Sequence, residues 1–333
     1  MSNPKKQHFV PQTYLKQWED NENLIWLYNK EEKTVSHRNT NSFFYYLHLY
    51  SLTLFEFNYL TPQQQETFFK PLKPFSIYLD DKKLTLHDIM ENIGKYDDFL
   101  IKKANGQIIN RRQKEDLLEK VLTSKHFLIE EKYNNIESEW PDVVGFFENY
   151  RNMVIQEKVI LPDANTFKAY IDKLLKFILS TYTRNPYNFV NILNRVEERH
   201  NFRLDEWRAR TVFEKMQLLH LSDERHLFET EDYDIHLILT MPNTPFFTSD
   251  NPVIVKGIEM EDAEFTGIFW FPLSPNILVS LSNKQNQERI FINHYIVAEE
   301  TVKKLNDIIY QYAKECFISC VNIGDNDYRF IKN

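Results

Sequence analysis

Glycine and cysteine are scarce in this chain of 333 residues, which has six glycines and two cysteines. Loops that hold phosphates need several glycines at fixed spacing, and neither the dinucleotide fingerprint nor the Walker A sequence occurs. Nucleotide-binding enzymes of those two classes are therefore excluded. Cys316 and Cys320 have no Cys-x-x-Cys or Cys/His spacing around them, which argues against a structural zinc site.

Long apolar runs are also missing from the chain. No stretch of about 18 apolar residues occurs, and Met1–Gln7 lacks the apolar core of a secretory signal peptide. We therefore expect a cytoplasmic protein that has no membrane partner and keeps its cysteines reduced.

Aromatic residues are abundant, at 15% of the chain, and charge is unevenly spread. The net charge is -8, yet Leu221–Glu264 alone carries eleven acids against Arg225 and Lys256, a net of -9. The rest of the chain sums to +1, so no chain-wide attraction to nucleic acid is predicted. Basic clusters such as Lys102-Lys103 with Arg111-Arg112 could track a phosphate backbone, although solvated helix faces explain such clusters more often.

Apolar residues recur at helical spacing through the middle of the chain. The periodicity predicts helices over Arg111–Thr123, Asp142–Lys158, Asp163–Thr183 and Leu204–Phe228. Asp163 suits the N-cap of the third helix. Pro186 predicts that this helix ends near Arg184, because a proline disfavours helical backbone in the residue before it. Residues 61–230 are thus predicted to form a helical block.

Alternating or β-branched runs predict strands toward both ends of the chain. The predicted strands are Asn23–Asn29, Asp234–Thr240, Val253–Val255, Phe265–Leu273, Ile277–Leu281 and Cys316–Val321. A helix over Ala298–Lys314 precedes the last strand. We predict the α+β class, in which the helical block accompanies a mostly antiparallel C-terminal sheet into which the N-terminal segment packs.

No repeat and no Gly-rich or Ser-rich linker divides the chain. We expect a single interlocked unit over residues 1–333. Its approximate regions are an N-terminal motif and strand segment at 1–60, the helical block at 61–230 and a β-rich region at 231–333.

Three short segments combine polar side chains with prolines. The first runs from His8 to Leu15 and reads His-Phe-Val-Pro-Gln-Thr-Tyr-Leu. The second is Arg184-Asn185-Pro186, and the third is Thr-Ser-Asp-Asn-Pro-Val at residues 248–253. The third segment places a carboxylate and two hydroxyls on a turn at the end of a strand, a frequent position for functional groups.

Together with Phe-Pro-Leu-Ser-Pro at residues 271–275, these segments resemble a bacterial family known as domain of unknown function 4238. The match in order and spacing covers nearly the whole chain. The family pattern implies an acidic residue within Phe43–Phe75. Glu66 is the best match for it. The sequence around Glu66 departs from the pattern, because it is aromatic and Gln-rich. The resemblance implies a stand-alone bacterial protein, with some members acting in defence against phage, and it implies no stated activity.

Histidine, arginine and aspartate together suit the hydrolysis of a phosphate ester. We assign catalytic roles to His8 as general acid or base, Arg184 as phosphate clamp, and Asp250 as the group that orients the base or holds a cation. The predicted substrate-binding residues are Gln12, Tyr14, Thr248, Ser249 and Asn251. A divalent cation is the cofactor that the pattern allows, and the neighbouring acids are Glu259, Glu261 and Asp262. The predicted function is a nuclease or nucleotide phosphodiesterase, with nucleic acid or a nucleotide as its partner.

The same residues also have a structural interpretation. His8 can bond a backbone carbonyl where the chain enters the fold, and Asp250 can close an Asx-type turn. Arg184 can cap the C-terminal end of its helix or form a buried salt bridge with Asp250. Ser249 lacks the Gly-x-Ser-x-Gly elbow of a serine nucleophile. Three histidines are spaced too unevenly for a metal cluster: His220, His226 and His236. The competing hypothesis is a non-catalytic recognition or effector module with a protein partner.

Overall fold

The structure is a computed structural model, and it describes residues 6–47, 66, 69–158, 163–188, 233–241, 244–259, 266–283 and 292–323. The predicted helix Leu204–Phe228 lies outside these residues, as do His220, His226, Glu261 and Asp262. Within the described part, no helix is both long enough and apolar enough to cross a membrane.

Helices and strands both occur along the described chain, which confirms the α+β class. The helices are α1 Gln12–Leu15, α2 Leu86–Glu91, α3 Arg111–Ser138, α4 Trp140–Ile155, α5 Ala164–Arg184 and α6 Glu299–Tyr312. The strands before α4 are β1 Lys6–His8, β2 Ile25–Asn29, β3 Thr34–Arg38, β4 Tyr45–Leu47, β5 Phe75–Leu79, β6 Lys82–Lys83 and β7 Leu100–Lys103. The strands after α5 are β8 Tyr233–Thr240, β9 Thr248–Ser249, β10 Ile254–Glu259, β11 Thr266–Ser274, β12 Ile277–Asn283, β13 Ile292–Val297 and β14 Cys316–Ser319.

The chain forms two compact units, each assembled from separate segments. Among the described residues, the first unit consists chiefly of those between 47 and 134, and the second of residues 8–46 and those after 134. The last residues of α3, 135–138, belong to the second unit. The single interlocked unit over residues 1–333 stays a prediction.

The first unit contains three strands where the sequence predicts only helix. Strand β5 pairs antiparallel with both β6 and β7. Asp80 and Asp81 adopt positive φ angles of 50° and 64° in the tight turn between β5 and β6, a conformation that aspartate tolerates better than most residues. Periodicity missed these strands because each has five residues or fewer, too few to distinguish alternation from helical spacing. Ile77 and Ile101 on the inner face of this sheet pack in one core with Leu117 of α3.

Two sheets make up most of the β structure of the second unit. The larger has the order β10-β11-β12-β8-β13, and all its pairings are antiparallel except that of β8 with β13. The smaller has the order β3-β2-β14-β9, so the N-terminal strand β2 lies beside the C-terminal strand β14. The mostly antiparallel C-terminal sheet is confirmed, and the N-terminal strands join a second sheet together with β14.

Local signals determine both ends of α5, as predicted. The Asp163 side chain accepts a hydrogen bond from the backbone N–H of Thr166 at 3.0 Å, which caps the first turn. The helix ends at Arg184 because Asn185, the residue before Pro186, has an extended backbone with ψ of 119°.

Aromatic side chains from α1, α4, α5 and β11 form a cluster in the core of the second unit. Trp140 and Phe177 stack with their ring centres 3.7 Å apart, and Tyr14 and Phe271 lie against both. All four side chains are buried, and each contributes ~1.5–3 kcal/mol by leaving water. The first motif is therefore anchored in this core through Tyr14.

Candidate functional site

The first motif forms a turn that brings His8 and Gln12 together. Strand β1 ends at His8, Pro11 precedes α1, and Nε2 of Gln12 lies 2.7 Å from Nε2 of His8. Nδ1 of His8 lies 3.1 Å from the backbone oxygen of Phe43, which can only accept a hydrogen bond. In neutral His8 the proton is therefore on Nδ1, and Nε2 accepts from the Gln12 amide. Nε2 is thus the nitrogen at which this histidine takes up a proton.

Glu137, in the last turn of α3, joins the first motif to the second. Its Oε2 atom accepts a hydrogen bond from Oγ1 of Thr13 at 3.3 Å, and its Oε1 atom accepts one from Nη1 of Arg184 at 2.7 Å. The Arg184 side chain is 2% exposed and that of Glu137 is 19% exposed, so the carboxylate compensates a buried guanidinium. Sequence reasoning missed Glu137 because no motif surrounds it. The sequence indicated such a residue only indirectly, because a buried arginine needs a carboxylate to compensate its charge.

Asp250 does not pair with Arg184, contrary to the structural interpretation of the sequence. The Asp250 carboxylate accepts the backbone N–H groups of Lys314, Glu315 and Cys316 at 2.8, 2.6 and 3.0 Å. It therefore holds the connection between α6 and β14. Burial raises the pKa of Asp250 to about 6, while the three N–H donors favour the ionised form and act in the opposite direction.

Asn185 connects the second motif to the third. Its Nδ2 atom donates to the backbone oxygen of Asp250 at 2.7 Å, and its Oδ1 atom accepts from the backbone N–H of Tyr187 at 3.0 Å. The Asn185 side chain is fully buried. Sequence reasoning used this residue only to end the helix, although its amide makes the contact between the two motifs.

Tyr14 connects the first motif to the third. Its hydroxyl donates to the backbone oxygen of Pro272 at 2.8 Å and lies 2.5 Å from Oγ1 of Thr248, which therefore donates to it. Burial raises the pKa of Tyr14 well above its ordinary value. Within the third motif, Oγ of Ser249 accepts the backbone N–H of Asn251 at 3.1 Å.

The three motifs thus meet in the second unit, but their side chains differ in exposure. His8, Gln12, Thr13 and Glu137 are half-buried, whereas Tyr14, Thr248, Ser249 and Asp250 have no exposed surface. A ligand that reaches this region meets the half-buried group. The predicted roles of six residues stay predictions: Arg184, Asp250, Tyr14, Thr248, Ser249 and Asn251.

Metal ligation is not supported by any cluster within the described residues. These residues contain no group of three or more His, Cys, Asp or Glu side chains that could hold an ion. His236 is buried, and its Nε2 atom lies 2.7 Å from Oγ of Ser282. Glu66 lies in the first unit, where it is exposed and pairs with Lys73 at 3.4 Å. The divalent cation stays a prediction.

One family model matches almost the whole chain. Its description is "Protein of unknown function (DUF4238)", and it matches residues 6–320. This range includes all three motifs. No curated protein and no solved structure matches the chain.

Proposed function

Because the chain belongs to the family described as protein of unknown function (DUF4238), which states no activity, we propose a function from the geometry of the first motif. We propose that the protein hydrolyses a phosphate ester in nucleic acid or a nucleotide, with His8 as the proton-transfer group. The observation that carries this proposal is the fixed tautomer of the half-buried His8. The carbonyl of Phe43 holds the proton on Nδ1 and leaves Nε2 beside the Gln12 amide.

In the proposed reaction, a water oxygen forms a bond to phosphorus while the P–O bond of the ester breaks. Nε2 of His8 takes up the proton of the water, and the imidazolium then gives a proton to the leaving oxygen. The Gln12 amide turns from His8 to donate to a phosphate oxygen. The Phe43 carbonyl keeps Nδ1 protonated throughout, so that only Nε2 exchanges its proton.

Arg184 supports this site through Glu137. The Arg184 guanidinium is almost fully buried, and it holds the carboxylate that also accepts from Thr13, the residue next to Gln12. We therefore propose Arg184 as a positioning residue, which keeps α1 in place beneath the reacting group. Its role as a direct phosphate clamp stays a prediction, as does a role of the protein in phage defence.

A second candidate is a non-catalytic recognition or effector module. The observation that favours it is the complete burial of Asp250, Tyr14 and Thr248, whose polar groups all bond to other parts of the fold. In that case His8 only closes the turn between β1 and α1. Its removal then destabilises the protein by ~1–3 kcal/mol, since the Gln12 amide and the Phe43 carbonyl each lose a partner.

The two candidates differ in what His8→Ala does. We expect the wild type to hydrolyse at least one of four substrates, each tested with and without Mg²⁺: bis(p-nitrophenyl) phosphate, a cyclic dinucleotide, short RNA and short DNA. His8→Ala abolishes that turnover, and its thermal midpoint falls by no more than the lost contacts with Gln12 and Phe43 account for. The control is His87→Ala, which removes an exposed histidine of α2 that pairs with Glu91.

Loss of turnover in His8→Ala alone supports the hydrolase. Two results contradict it: turnover that survives in His8→Ala, or a wild type that hydrolyses none of the four substrates. The second of these results supports the recognition module.

A further inference from the structure

One face of the sheet in the first unit carries a tyrosine between lysines. In the strand register Tyr78 lies opposite Lys83 of β6 and Leu100 of β7, and Ser76 lies opposite Lys102. Residues opposite each other, and residues two apart in a strand, project from the same face, so these five side chains share one face. We call this the outer face. Nζ of Lys102 lies 4.9 Å from the centre of the Tyr78 ring, as a shared face requires.

Positive charge on this sheet is not balanced by acids within its strands. Strands β5, β6 and β7 contain four lysines and no acidic residue. Lys82 pairs with Asp88 at 3.0 Å, but Lys83 and Lys102 form no ion pair with any residue in the described ranges. When such lysines lie beside an aromatic ring, a base can stack on the ring while the lysines contact the phosphates on either side of that base.

A cavity of about 470 Å³ shares one residue, Leu100, with the outer face. Leu100 lines it, and so does Ile108, which forms an isolated bridge with Lys102 and is 55% exposed. Leu118 and Arg111 of α3 line it as well. Its volume falls within the range of ~300–1,000 Å³ that is typical of small-ligand sites. The lining also includes Lys114, Asp97 and Glu115, and Glu115 pairs with Arg111 at 2.9 Å. The apolar part of the lining suits a planar base.

We propose that the outer face and this cavity bind single-stranded nucleic acid. One base stacks on Tyr78, its neighbour enters the cavity, and the phosphates contact Lys83 and Lys102. Lys102 has a flexible stem, so its ammonium group moves from the ring to a phosphate when a base arrives. Duplex nucleic acid does not fit, because its bases are already stacked on each other. The surface contains none of the residues of the proposed hydrolytic site and does not depend on it.

The test measures the binding of fluorescein-labelled single strands of about 12 nucleotides to the full chain by fluorescence anisotropy. One arm uses oligouridylate, a second uses oligothymidylate, and a third uses duplex DNA of the same length. The variants are Tyr78→Leu and the double variant Lys83→Gln with Lys102→Gln. The matched control is Lys70→Gln with Lys73→Gln, which removes the same charge from exposed positions of the same unit outside the outer face. Thermal unfolding verifies that each variant is folded.

We expect both single strands, or one of them, to bind more tightly than the duplex. The double lysine variant reduces the slope of log Kd against log salt by ~1.4, since each phosphate contact on a single strand contributes ~0.7. Tyr78→Leu raises Kd by ~5- to 150-fold, and the control leaves Kd unchanged. A preference for oligouridylate identifies RNA as the ligand, and a preference for oligothymidylate identifies single-stranded DNA.

Three results overturn the proposal. They are absence of binding by the wild type up to ~100 μM, equal affinity for the duplex, and an equal loss of affinity in the control. The same titrations are repeated with His8→Ala, so that cleavage of the labelled strand does not change the measured anisotropy. Binding by that variant without turnover by the wild type contradicts the hydrolase and leaves this surface supported.

Discussion

Nη1 of Arg184 lies 2.7 Å from Oε1 of Glu137, and this ion pair joins two of the three motifs through a residue that belongs to neither. Arg184 comes from the end of α5, and Glu137 comes from the last turn of α3. The other carboxylate oxygen of Glu137 accepts a hydrogen bond from Thr13 of α1. Three elements are thus held at one carboxylate, next to the half-buried His8 and Gln12.

Glu137→Gln lowers the free energy of unfolding by about 2–4 kcal/mol, because it removes the negative charge of the carboxylate that pairs with the buried Arg184 guanidinium at 2.7 Å. Urea unfolding measures this change. The control is Glu115→Gln, whose partner Arg111 has a side chain that is 93% exposed, and it changes stability by less than about 0.5 kcal/mol. Equal effects of the two substitutions would mean that Arg184 does not depend on Glu137.

Tyr14→Phe destabilises the protein by about 1–3 kcal/mol, because Oγ1 of Thr248 and the carbonyl of Pro272 lose their buried partner. Thermal and urea unfolding both report the loss. Tyr170→Phe serves as the control, since the Tyr170 hydroxyl bonds to no residue in the described ranges. A neutral Tyr14→Phe would contradict the hydrogen-bond geometry.

The pH dependence of stability changes when Asp250 is replaced by asparagine. The pKa of Asp250 is about 6 in the folded protein because of burial, against an ordinary value near 3.8, so the folded state binds the proton more tightly. The contribution of this group to the free energy of unfolding is therefore present below about pH 4. It is lost as the pH rises to 6. The wild type should lose up to ~3 kcal/mol relative to Asp250→Asn across that interval.

Urea unfolding of both proteins from pH 4 to 7 tests this trend. The control is Asp163→Asn, because hydrogen bonds from Thr166 lower the pKa of Asp163. The contribution of Asp163 to the free energy of unfolding is lost only as the pH falls below the ordinary pKa of an aspartate. The difference between the wild type and Asp163→Asn therefore stays constant above about pH 4.5. If the difference in the free energy of unfolding between the wild type and Asp250→Asn also stays constant with pH, the three N–H donors lower the pKa of Asp250 at least as much as burial raises it.

Gly267→Ala and Gly145→Ala act in opposite directions. A Cβ atom at Gly267 in β11 overlaps Oγ of Ser280 and the buried ring of Trp270, which costs about 1–3 kcal/mol. Gly145 lies on the exposed side of α4 with open space around it, and alanine there stabilises the helix by ~0.5–1 kcal/mol. Differential scanning calorimetry measures both shifts. A higher midpoint for Gly267→Ala would contradict the close packing of β11.

Sequence patterns determined the elements whose signals are local. The Asp163 cap, the Asn185-Pro186 stop, the C-terminal strands and the helix before the last strand all depend on residues within about four positions of each other. Strands β5 to β7 were missed, because runs of two to five residues carry too little alternation to oppose a helical interpretation.

Only the tertiary structure decided which side chains meet. Thr13 bonds to Glu137 across 124 positions, Tyr14 to Thr248 across 234, and Asp250 to the N–H of Cys316 across 66. The sequence therefore identified His8, Arg184 and Asp250 as candidate residues, but the pairing of Arg184 with Asp250 that it allowed was wrong, and it indicated Glu137 only indirectly. The physical reason is that caps and periodicity act between neighbours in the chain, whereas the partner of a buried charge depends on how distant segments pack.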